Sequence, residues 1–406
     1  MIYNFNIPEE IKIAFEYFSK NGYEAWLVGG CVRDFLMDKI PHDYDMTTNA
    51  LPEETKEIFK DFKVIETGIK HGTVTVIINS FHIEITTYRV DGEYSDNRHP
   101  KEVTFTKNIK DDLKRRDFTM NAIAYNPQKG LFDPFCGEMH IRKKIIVCVG
   151  DADKRFNEDG LRILRAIRFS AVLSFDIEEN TKKSIHKNKS LLENISKERI
   201  FIEFSKLFSG KNASEILTEY NDVLSVFLAD SQDFSKTAEI IDYIPDNIYL
   251  KLASFVYSCD IVSSLSFLKA SNDIKHTVKK IVSFKDTEIL CEKGFLKKFL
   301  NECGENNAKL ILEFRKAVLK SEKKDSENID SALSYINEII KNIECFSLKQ
   351  LSVNGNDLIS LGFSGSEIKK VLDTVLSLVI EDSLINDKST IIKFINTNFV
   401  KKIGKN

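Results

Sequence analysis

The chain has 406 residues, of which 42% are hydrophobic and 29% are charged, and its formal net charge at pH 7 is −3. This composition is typical of a folded globular protein and excludes an intrinsically disordered chain. The charge gives no global basic signal for nucleic acid, although a local basic groove can act on a nearly neutral protein. At roughly 150 residues per domain, the length predicts two or three domains.

The N-terminus, the apolar runs and the cysteines together predict a cytoplasmic chain with free thiols. No run reaches the ~18 apolar residues that a membrane span needs. The first ten residues contain two glutamates and a proline, where a signal peptide would have basic residues and then an apolar core. The seven cysteines are an odd number without a CxxC pair, which argues against a disulfide framework and a structural zinc site.

Proline and glycine are concentrated in the first 160 residues, which hold six of the seven prolines and ten of the seventeen glycines. Because these residues punctuate strands and turns, we predict a mixed α/β first third and an almost entirely helical remainder, with a boundary near 149–153. In chain order, the patterns predict a helix over 8–20, a strand over 24–29, helices over 32–37 and 51–61 with a strand over 44–47 between them, a hairpin of strands 73–78 and 82–88, and helices over 155–171, 180–194 and 197–208.

The strongest local signal is a glycine pair with an arginine, followed by two aspartates. Gly29 and Gly30 precede Arg33, and Asp43 and Asp45 come ten and twelve residues after it. Alternation along a strand places both aspartates on one face, where they repel unless a cation lies between them. Mg²⁺ takes one or two carboxylates together with substrate phosphates, and glycine backbone with a nearby arginine suits a phosphate. The alternative is a glycine turn followed by a solvated acidic loop.

Two further segments carry charges that fit such a site. Glu84 lies in an apolar strand pattern, so it is either exposed at an edge or a third metal ligand. Residues 111–122 place three consecutive cations between acids. This segment is either a solvated helix start or a place where Arg116 neutralises a triphosphate while Asp117 and Asn121 orient backbone or ribose.

A regular row of charges marks the first helix after the boundary. Asp159, Arg162, Arg165 and Arg168 recur every three residues and form one polar stripe beside an apolar one. One interpretation is simple helix salt bridges, which are worth only a few tenths of a kcal/mol. Because four charged residues lie in line beside the predicted domain boundary, we favour the interpretation that they face a ligand. Because glycine costs about 1 kcal/mol inside a helix, Gly160 predicts that the helix bends or begins there.

Taken together, these motifs resemble the class II tRNA nucleotidyltransferases, the CCA-adding enzymes, and their relatives the bacterial poly(A) polymerases. The matching segments run in the family's order over about the first 210 residues: GGCVRD, HDYDMTT, the loop around 94–103, RRDFTMNAIA, DPFCG, EDGLRILRAIRF and KERIFIEFSKLF. The resemblance implies an α+β nucleotidyltransferase head of the DNA-polymerase-beta type, with a small mixed sheet, over residues 1–150. It implies a helical neck over 151–210 and an all-α body and tail over 211–406.

The resemblance also implies addition of CCA to the tRNA 3′ end from CTP and ATP, without a template and with release of pyrophosphate. A poly(A) polymerase or an A-adding or CC-adding relative is the alternative. Expected partners are the tRNA 3′ end, CTP, ATP and Mg²⁺, with no membrane; the sequence does not indicate an oligomeric state. By motif position, the metal ligands are Asp43 and Asp45, and the nucleotide-binding residues are Gly29, Gly30, Arg33, Arg116, Asp159, Arg162, Arg165 and Arg168. Glu84 is a further candidate for a metal ligand because of its strand pattern, not because of the resemblance.

Hydrogen-bond chemistry explains how two side chains can select a base. Cytosine and adenine each present an amino donor beside a ring-nitrogen acceptor, whereas guanine and uracil present a carbonyl and a ring N–H there. Asp159 can accept from the amino group while Arg162 donates to the ring nitrogen. A wrong base mismatches both contacts, at roughly 1–3 kcal/mol for each unsatisfied group.

Overall fold

The chain is described here by a computed structural model that covers residues 3, 5–92, 103–228, 234–257 and 261–400. It forms two compact units, one of Met1–Asp233 with Phe267–Lys269 and the other of Phe234–Ser266 with Ala270–Asn406. The predicted divisions near residues 150 and 210 both fall inside the first unit. The head and neck segments therefore lie within one compact unit, and the candidate site can be described entirely within it.

The first unit begins with an α+β region and continues with helices. Its elements in the first 150 residues are α1 (Glu9–Lys20), β1 (Ala25–Val28), α2 (Gly30–Leu36), β2 (Asp45–Thr48), α3 (Pro52–Ile58), β3 (Lys63–Ile65), β4 (Thr73–Ile78), β5 (Phe81–Thr87), β6 (Arg89–Asp91), β7 (Val103–Phe105), α4 (Ile109–Lys114), β8 (Ala124–Asn126), β9 (Gly130–Phe132), α5 (Gly137–Arg142) and β10 (Ile145–Ile146). The following elements are α6 (Ala152–Glu158), α7 (Leu161–Leu173), β11 (Asp176–Ile177), α8 (Glu179–Asn188), α9 (Lys197–Leu207), α10 (Ala213–Glu219) and α11 (Asn221–Leu224).

A seven-stranded mixed sheet forms the centre of the α+β region, in the order β3-β4-β5-β2-β1-β8-β9. Its β2 and β5 strands are parallel, whereas the other neighbouring pairs in the sheet are antiparallel. This confirms the predicted α+β class with a small mixed sheet. The predicted hairpin is β4–β5, and its loop residues Asn79 and Ser80 have φ values of 47° and 68°, as the favoured two-residue hairpin turns require.

One face of the sheet is covered by a core that also contains the helix before the site. Its buried members include Trp26 and Val28 of β1, Tyr88, and Leu113 of α4. Phe135, from the DPF segment, packs against this cluster, and Asp133 of the same segment accepts hydrogen bonds from two backbone N–H groups at the start of α5. The core therefore fixes the ends of β1 and α4, where the candidate site begins.

The helix predicted over 155–171 is two helices, α6 and α7, with the break at Asp159 and Gly160. Asp159 has extended backbone angles, φ −140° and ψ 104°. Its side chain accepts a hydrogen bond from the Leu161 backbone N–H at 3.1 Å, a local contact that competes with helix continuation. Of the two outcomes predicted for Gly160, a bend or a start, the structure shows a start.

The second unit is helical and has its own core. Its helices are α12 (Ser235–Ile241), α13 (Ile248–Phe255), α14 (Ile261–Phe267), α15 (Asn272–Ser283), α16 (Lys293–Cys303), α17 (Glu305–Ser321), α18 (Glu327–Lys341), α19 (Gly355–Ser360), α20 (Ser366–Ile380) and α21 (Lys388–Ile395). Apolar side chains of α20 and α21 form one cluster, in which Val375 and Ile391 are fully buried. In the part of the chain that the structure describes, no helix combines the length and apolar character needed to cross a membrane.

Candidate active site

A polar cleft of about 380 Å³ opens in the first unit between the end of β1, the segment after α4, and α7. Eight of the predicted nucleotide- and metal-binding residues line it. They are Gly29, Gly30, Arg33, Asp45, Arg116, Asp159, Arg162 and Arg165. Four further residues complete the lining: Arg115, Asp117, Asn121 and Phe169.

Strand register brings three carboxylates to one edge of the sheet. Asp45 is the first residue of β2 and pairs with Val28 on one side and with Glu84 on the other. Asp43 lies just before the strand, and all three carboxylate residues are exposed. The surrounding protein removes water from the inner side of Asp45 and raises its pKa, and the charges of Glu84 and Asp43 raise it further, against an opposing effect of Arg116. This edge of the sheet therefore carries a high local negative charge.

The donor chemistry of this edge fits a hard divalent cation. Asp43 and Asp45 offer carboxylate oxygens, and the described residues give neither side chain a hydrogen bond or ion pair. Across the described ranges, no group of three or more His, Cys, Asp or Glu side chains is arranged to hold a metal ion. Mg²⁺ does not need three protein ligands, because it takes one or two carboxylates and completes its shell with water and phosphate oxygens. The pair of carboxylates at Asp43 and Asp45 therefore suits Mg²⁺.

Gly29 allows the guanidinium of Arg116 to lie close to this acidic edge. Its φ of 78° is in the region that favours glycine. A Cβ at this position would lie 3.2 Å from Nη1 of Arg116 and 3.8 Å from Oδ2 of Asp45. The absence of a side chain at residue 29 thus leaves room for the Arg116 guanidinium beside Asp45.

Two arginines share one buried carboxylate unequally. Asp112 is fully buried, and although burial raises its pKa, the charges of Arg115 and Arg116 lower it below the usual value. Arg115 binds Asp112 at 2.8 Å, whereas Arg116 Nη2 is 3.4 Å from the same carboxylate. The buried Nε of Arg116 has no hydrogen-bond partner among the described residues. Arg116 is therefore incompletely paired and available to an anionic ligand.

Asp117 connects the α+β region to α7. Its Oδ2 accepts two hydrogen bonds from Arg165, at 2.9 and 2.6 Å, and its Oδ1 accepts one from Asn121 at 3.1 Å. Asn121 in turn accepts a hydrogen bond from Nη1 of Arg33 at 3.1 Å. Burial alone would raise the pKa of Asp117, but the Arg165 guanidinium holds it at about 2. This chain of contacts fixes Arg33 and Arg165 at the cleft.

Phe169 provides an apolar surface for three guanidinium groups. The guanidinium carbons of Arg33, Arg165 and Arg168 lie 5.3, 5.4 and 3.6 Å from its ring centroid. Such contacts stabilise cations beside aromatic rings. Arg168 also donates to Glu203 of α9 at 2.9 Å, and it does not line the cleft.

The two residues predicted to select the base are both held by protein groups. Arg162 donates to Oε2 of Glu158 at 2.8 Å and to two backbone carbonyl oxygens, those of Arg155 and Arg115, at 3.1 and 3.0 Å. Asp159 accepts hydrogen bonds from Nη2 and Nη1 of Arg199, at 2.9 and 3.3 Å. Both side chains therefore have defined orientations at the cleft wall.

Most of the predicted site residues line the cleft, but Asp43, Glu84 and Arg168 do not. Asp43 and Glu84 lie beside Asp45 but are not among the cleft-lining residues. Of the predicted loop around 94–103, only Val103 lies within the described residues. Sequence reasoning gave no role to Phe169, Arg199 or the acids Asp112 and Glu203. A signal for Arg199 exists, since it lies in the KERIFIEFSKLF segment, but its contact with a residue 40 positions earlier is not visible in the sequence.

Family models match three parts of the chain. A model described as the poly(A) polymerase head domain matches residues 25–147. One described as an RNA- and SrmB-binding site of polymerase A matches residues 174–221. A third, described as tRNA nucleotidyltransferase domain 2, matches residues 248–395.

Curated relatives and solved structures match over almost the whole length. A CCA-adding enzyme of Staphylococcus haemolyticus is 34% identical over 96% of this chain and 98% of its own, and one from a Geobacillus strain is 36% identical over 92% of each. The crystal structure of the Bacillus stearothermophilus CCA-adding enzyme in complex with CTP superposes with a TM-score of 0.84, at 29% identity and with 97% and 98% of the two chains covered. A Thermotoga maritima CCA-adding enzyme complexed with tRNA shares the fold, with a TM-score of 0.66 at 20% identity.

Proposed function

The chain belongs to the CCA-adding enzyme family of nucleotidyltransferases, and from this premise we propose the reaction it performs and the residues that carry it. The reaction is transfer of CMP, CMP and AMP from CTP and ATP onto the 3′ end of tRNA, without a nucleic-acid template and with release of pyrophosphate. The observation that supports it best is identity of 34–36% to CCA-adding enzymes over more than nine-tenths of both chains.

We propose that Asp43 and Asp45 hold the divalent ion that the family implies, and that this ion is Mg²⁺. The exposed carboxylates at the edge of β2 supply the hard oxygen ligands, and Glu84 beside them adds to the negative potential. When bound, such an ion favours ionisation of the tRNA 3′ hydroxyl and stabilises charge on the α-phosphate. The chain's own contribution is to place that charge next to the glycine turn at residues 29 and 30.

We propose that the triphosphate of the nucleotide binds Arg116, the incompletely paired arginine of the cleft. Arg116 has only a long 3.4 Å contact to Asp112 and lines the cleft, so its guanidinium can donate to a phosphate oxygen. Arg33, fixed by Asp34 and Asn121, supplies a second guanidinium. Charge-assisted hydrogen bonds of this kind are about twice as strong as neutral ones.

Base selection follows from the fixed side chains at the cleft wall. An ionised carboxylate only accepts hydrogen bonds and a guanidinium only donates them. Asp159 can therefore accept from the amino group of cytosine or adenine while Arg162 donates to the adjacent ring nitrogen. Uracil and guanine present the opposite pattern to both side chains. Glu158 and the two carbonyl oxygens that hold Arg162 keep its donors from rotating to suit the wrong base.

The remaining assignments follow the same proposal. Residues 1–150 form the catalytic head, 151–210 the neck that selects the nucleotide, and 211–406 the body and tail that bind tRNA. Arg165 and Arg168 support the neck through Asp117 and Glu203. We also propose a cytoplasmic location, as expected for a relative of the bacterial CCA-adding enzymes.

Incubation of the purified protein with tRNA lacking its 3′ CCA, in the presence of Mg²⁺ and each NTP separately or in combination, tests the function. We expect two C residues with CTP alone and a complete CCA end with CTP and ATP, and no extension with UTP or GTP. Addition of A alone, of C alone in the presence of both, or of a long A tract would contradict the proposal. Full-length tRNA ending in CCA serves as the control and is not extended.

A further inference from the structure

Asp159 lies at a break in the neck, where its own backbone does little to orient it. It follows the last residue of α6, precedes the first turn of α7, and has extended backbone angles. A side chain on a continuous helix has few rotamers, because the preceding turn restricts it. Outside the helix this restriction is lost, so contacts from elsewhere must fix the carboxylate.

Arg199 of α9 makes those contacts with both carboxylate oxygens. Its Nη2 lies 2.9 Å from Oδ2 of Asp159 and its Nη1 lies 3.3 Å from Oδ1. Both side chains are largely buried, with 24% of Arg199 and 18% of Asp159 exposed. A two-pronged arginine–carboxylate pair adds geometric specificity as well as energy. The Leu161 backbone N–H donates to Oδ1 at 3.1 Å and completes the frame.

The frame leaves room for one more donor. A carboxylate has about four acceptor positions. Arg199 takes two of them and the Leu161 backbone N–H takes a third. The remaining position belongs to a residue that lines the cleft, and one amino group of a base can fill it.

Resting on the function proposed above, we propose that Arg199 is a positioning residue for nucleotide selection. It holds the Asp159 carboxylate so that its remaining acceptor position meets the exocyclic amino group of cytosine or adenine. The neighbouring arginines of α7 have other partners, since Arg162 binds Glu158 and Arg165 binds Asp117. The opposing interpretation is that Arg199 only ties α9 to the neck, and this predicts equal effects on correct and incorrect nucleotides.

The test compares Arg199→Ala with wild type by measuring kcat/KM for CTP and for UTP on tRNA lacking CCA. We expect kcat/KM for CTP to fall while that for UTP changes little, so that the CTP/UTP ratio drops about tenfold, the loss expected when one hydrogen bond to the base is misaligned. Lys206→Ala is the matched control, because it removes one positive charge from the same helix at an exposed position. It should keep the wild-type ratio.

Coupling to Asp159 provides an independent check. In an Asp159→Ala background, adding Arg199→Ala should leave the CTP/UTP ratio unchanged, because residues that act through one contact are not additive. If Arg199→Ala does not fold, Arg199→Met keeps the aliphatic stem without the guanidinium and should show the same drop. An equal fall for CTP and UTP, or a further drop in the Asp159→Ala background, overturns the role of Arg199. If wild type itself adds no CCA, the proposed function fails instead.

Discussion

Replacement of Gly29 by alanine adds a single methyl group to the candidate site. Gly29 joins β1 to α2 with φ 78° and ψ −134°, a conformation that residues with a Cβ rarely adopt. The new methyl group would lie 3.2 Å from Nη1 of Arg116. The substitution therefore introduces backbone strain and, separately, displaces the guanidinium that we propose binds the triphosphate.

The two effects can be separated with a matched glycine. Gly130 also has φ 78°, but a Cβ there would meet no atom within 4 Å. Backbone strain of this type costs on the order of 1–3 kcal/mol, so Gly29→Ala and Gly130→Ala should each lower the free energy of unfolding by about that amount. Only Gly29→Ala also pushes on Arg116, and a displacement of a few tenths of an ångström there weakens the contact to phosphate.

The assay pairs urea denaturation with the initial rate of C addition to tRNA lacking CCA. We expect similar losses of stability for the two variants, with wild-type kcat/KM for CTP in Gly130→Ala and at least a tenfold loss in Gly29→Ala. Misplacement of a positioning group by about 1 Å can cost on the order of a hundredfold, so tenfold is a modest expectation. Equal activity of the two folded variants would refute the argument that Gly29 makes room for Arg116.

Three further predictions follow from the same site. Asp43→Ala should abolish transfer and change the free energy of unfolding by less than about 0.5 kcal/mol, because Asp43 is exposed; retained pyrophosphate release would refute its role as a metal ligand. Arg162→Ala should raise misincorporation of UTP and GTP more than it weakens tRNA binding, and unchanged discrimination would count against the selection scheme. Asp117→Asn removes a carboxylate whose pKa burial raises but Arg165 holds at about 2. Because this pKa lies below the usual value of about 3.9, the stabilisation is present above about pH 4 and is lost as the pH falls through about 2; urea denaturation should show a pH-dependent difference from wild type of about 2 kcal/mol, and a difference independent of pH would contradict it.

Local patterns in the sequence predict much of the α+β region. Period-two alternation and β-branched residues predict the β4–β5 hairpin, and the apolar run before Gly29 predicts β1. They do not predict β8, because a buried three-residue strand between irregular segments carries no periodic signal. Nor do they give strand register, so the pairing of Glu84 with Asp45 is known only from the structure.

The neck shows the same limit more sharply. The spacing of Asp159, Arg162 and the following arginines predicts one stripe on one helix. The structure instead divides this row between a helix break and α7. The local signal for the break is present, since an aspartate followed by glycine favours non-helical backbone. Two partners of the row, Arg199 and Glu203, come from α9, and long-range ion pairs of this kind leave no periodic signal in the sequence.

Charge pairing differs among Arg116, Arg162 and Arg165, three arginines of the cleft to which we assign different tasks. Those next to the base-selecting position are matched by protein acids: Arg162 by Glu158 and Arg165 by Asp117. Matched pairs are suited to recognition, because their geometry is fixed before the nucleotide arrives and no counter-charge has to be displaced. Arg116 is matched only at 3.4 Å, which suits it to a ligand that brings its own negative charge. A triphosphate meets that requirement and a base does not, and we therefore propose that the nucleotide binds with its phosphates towards Gly29 and its base towards Asp159.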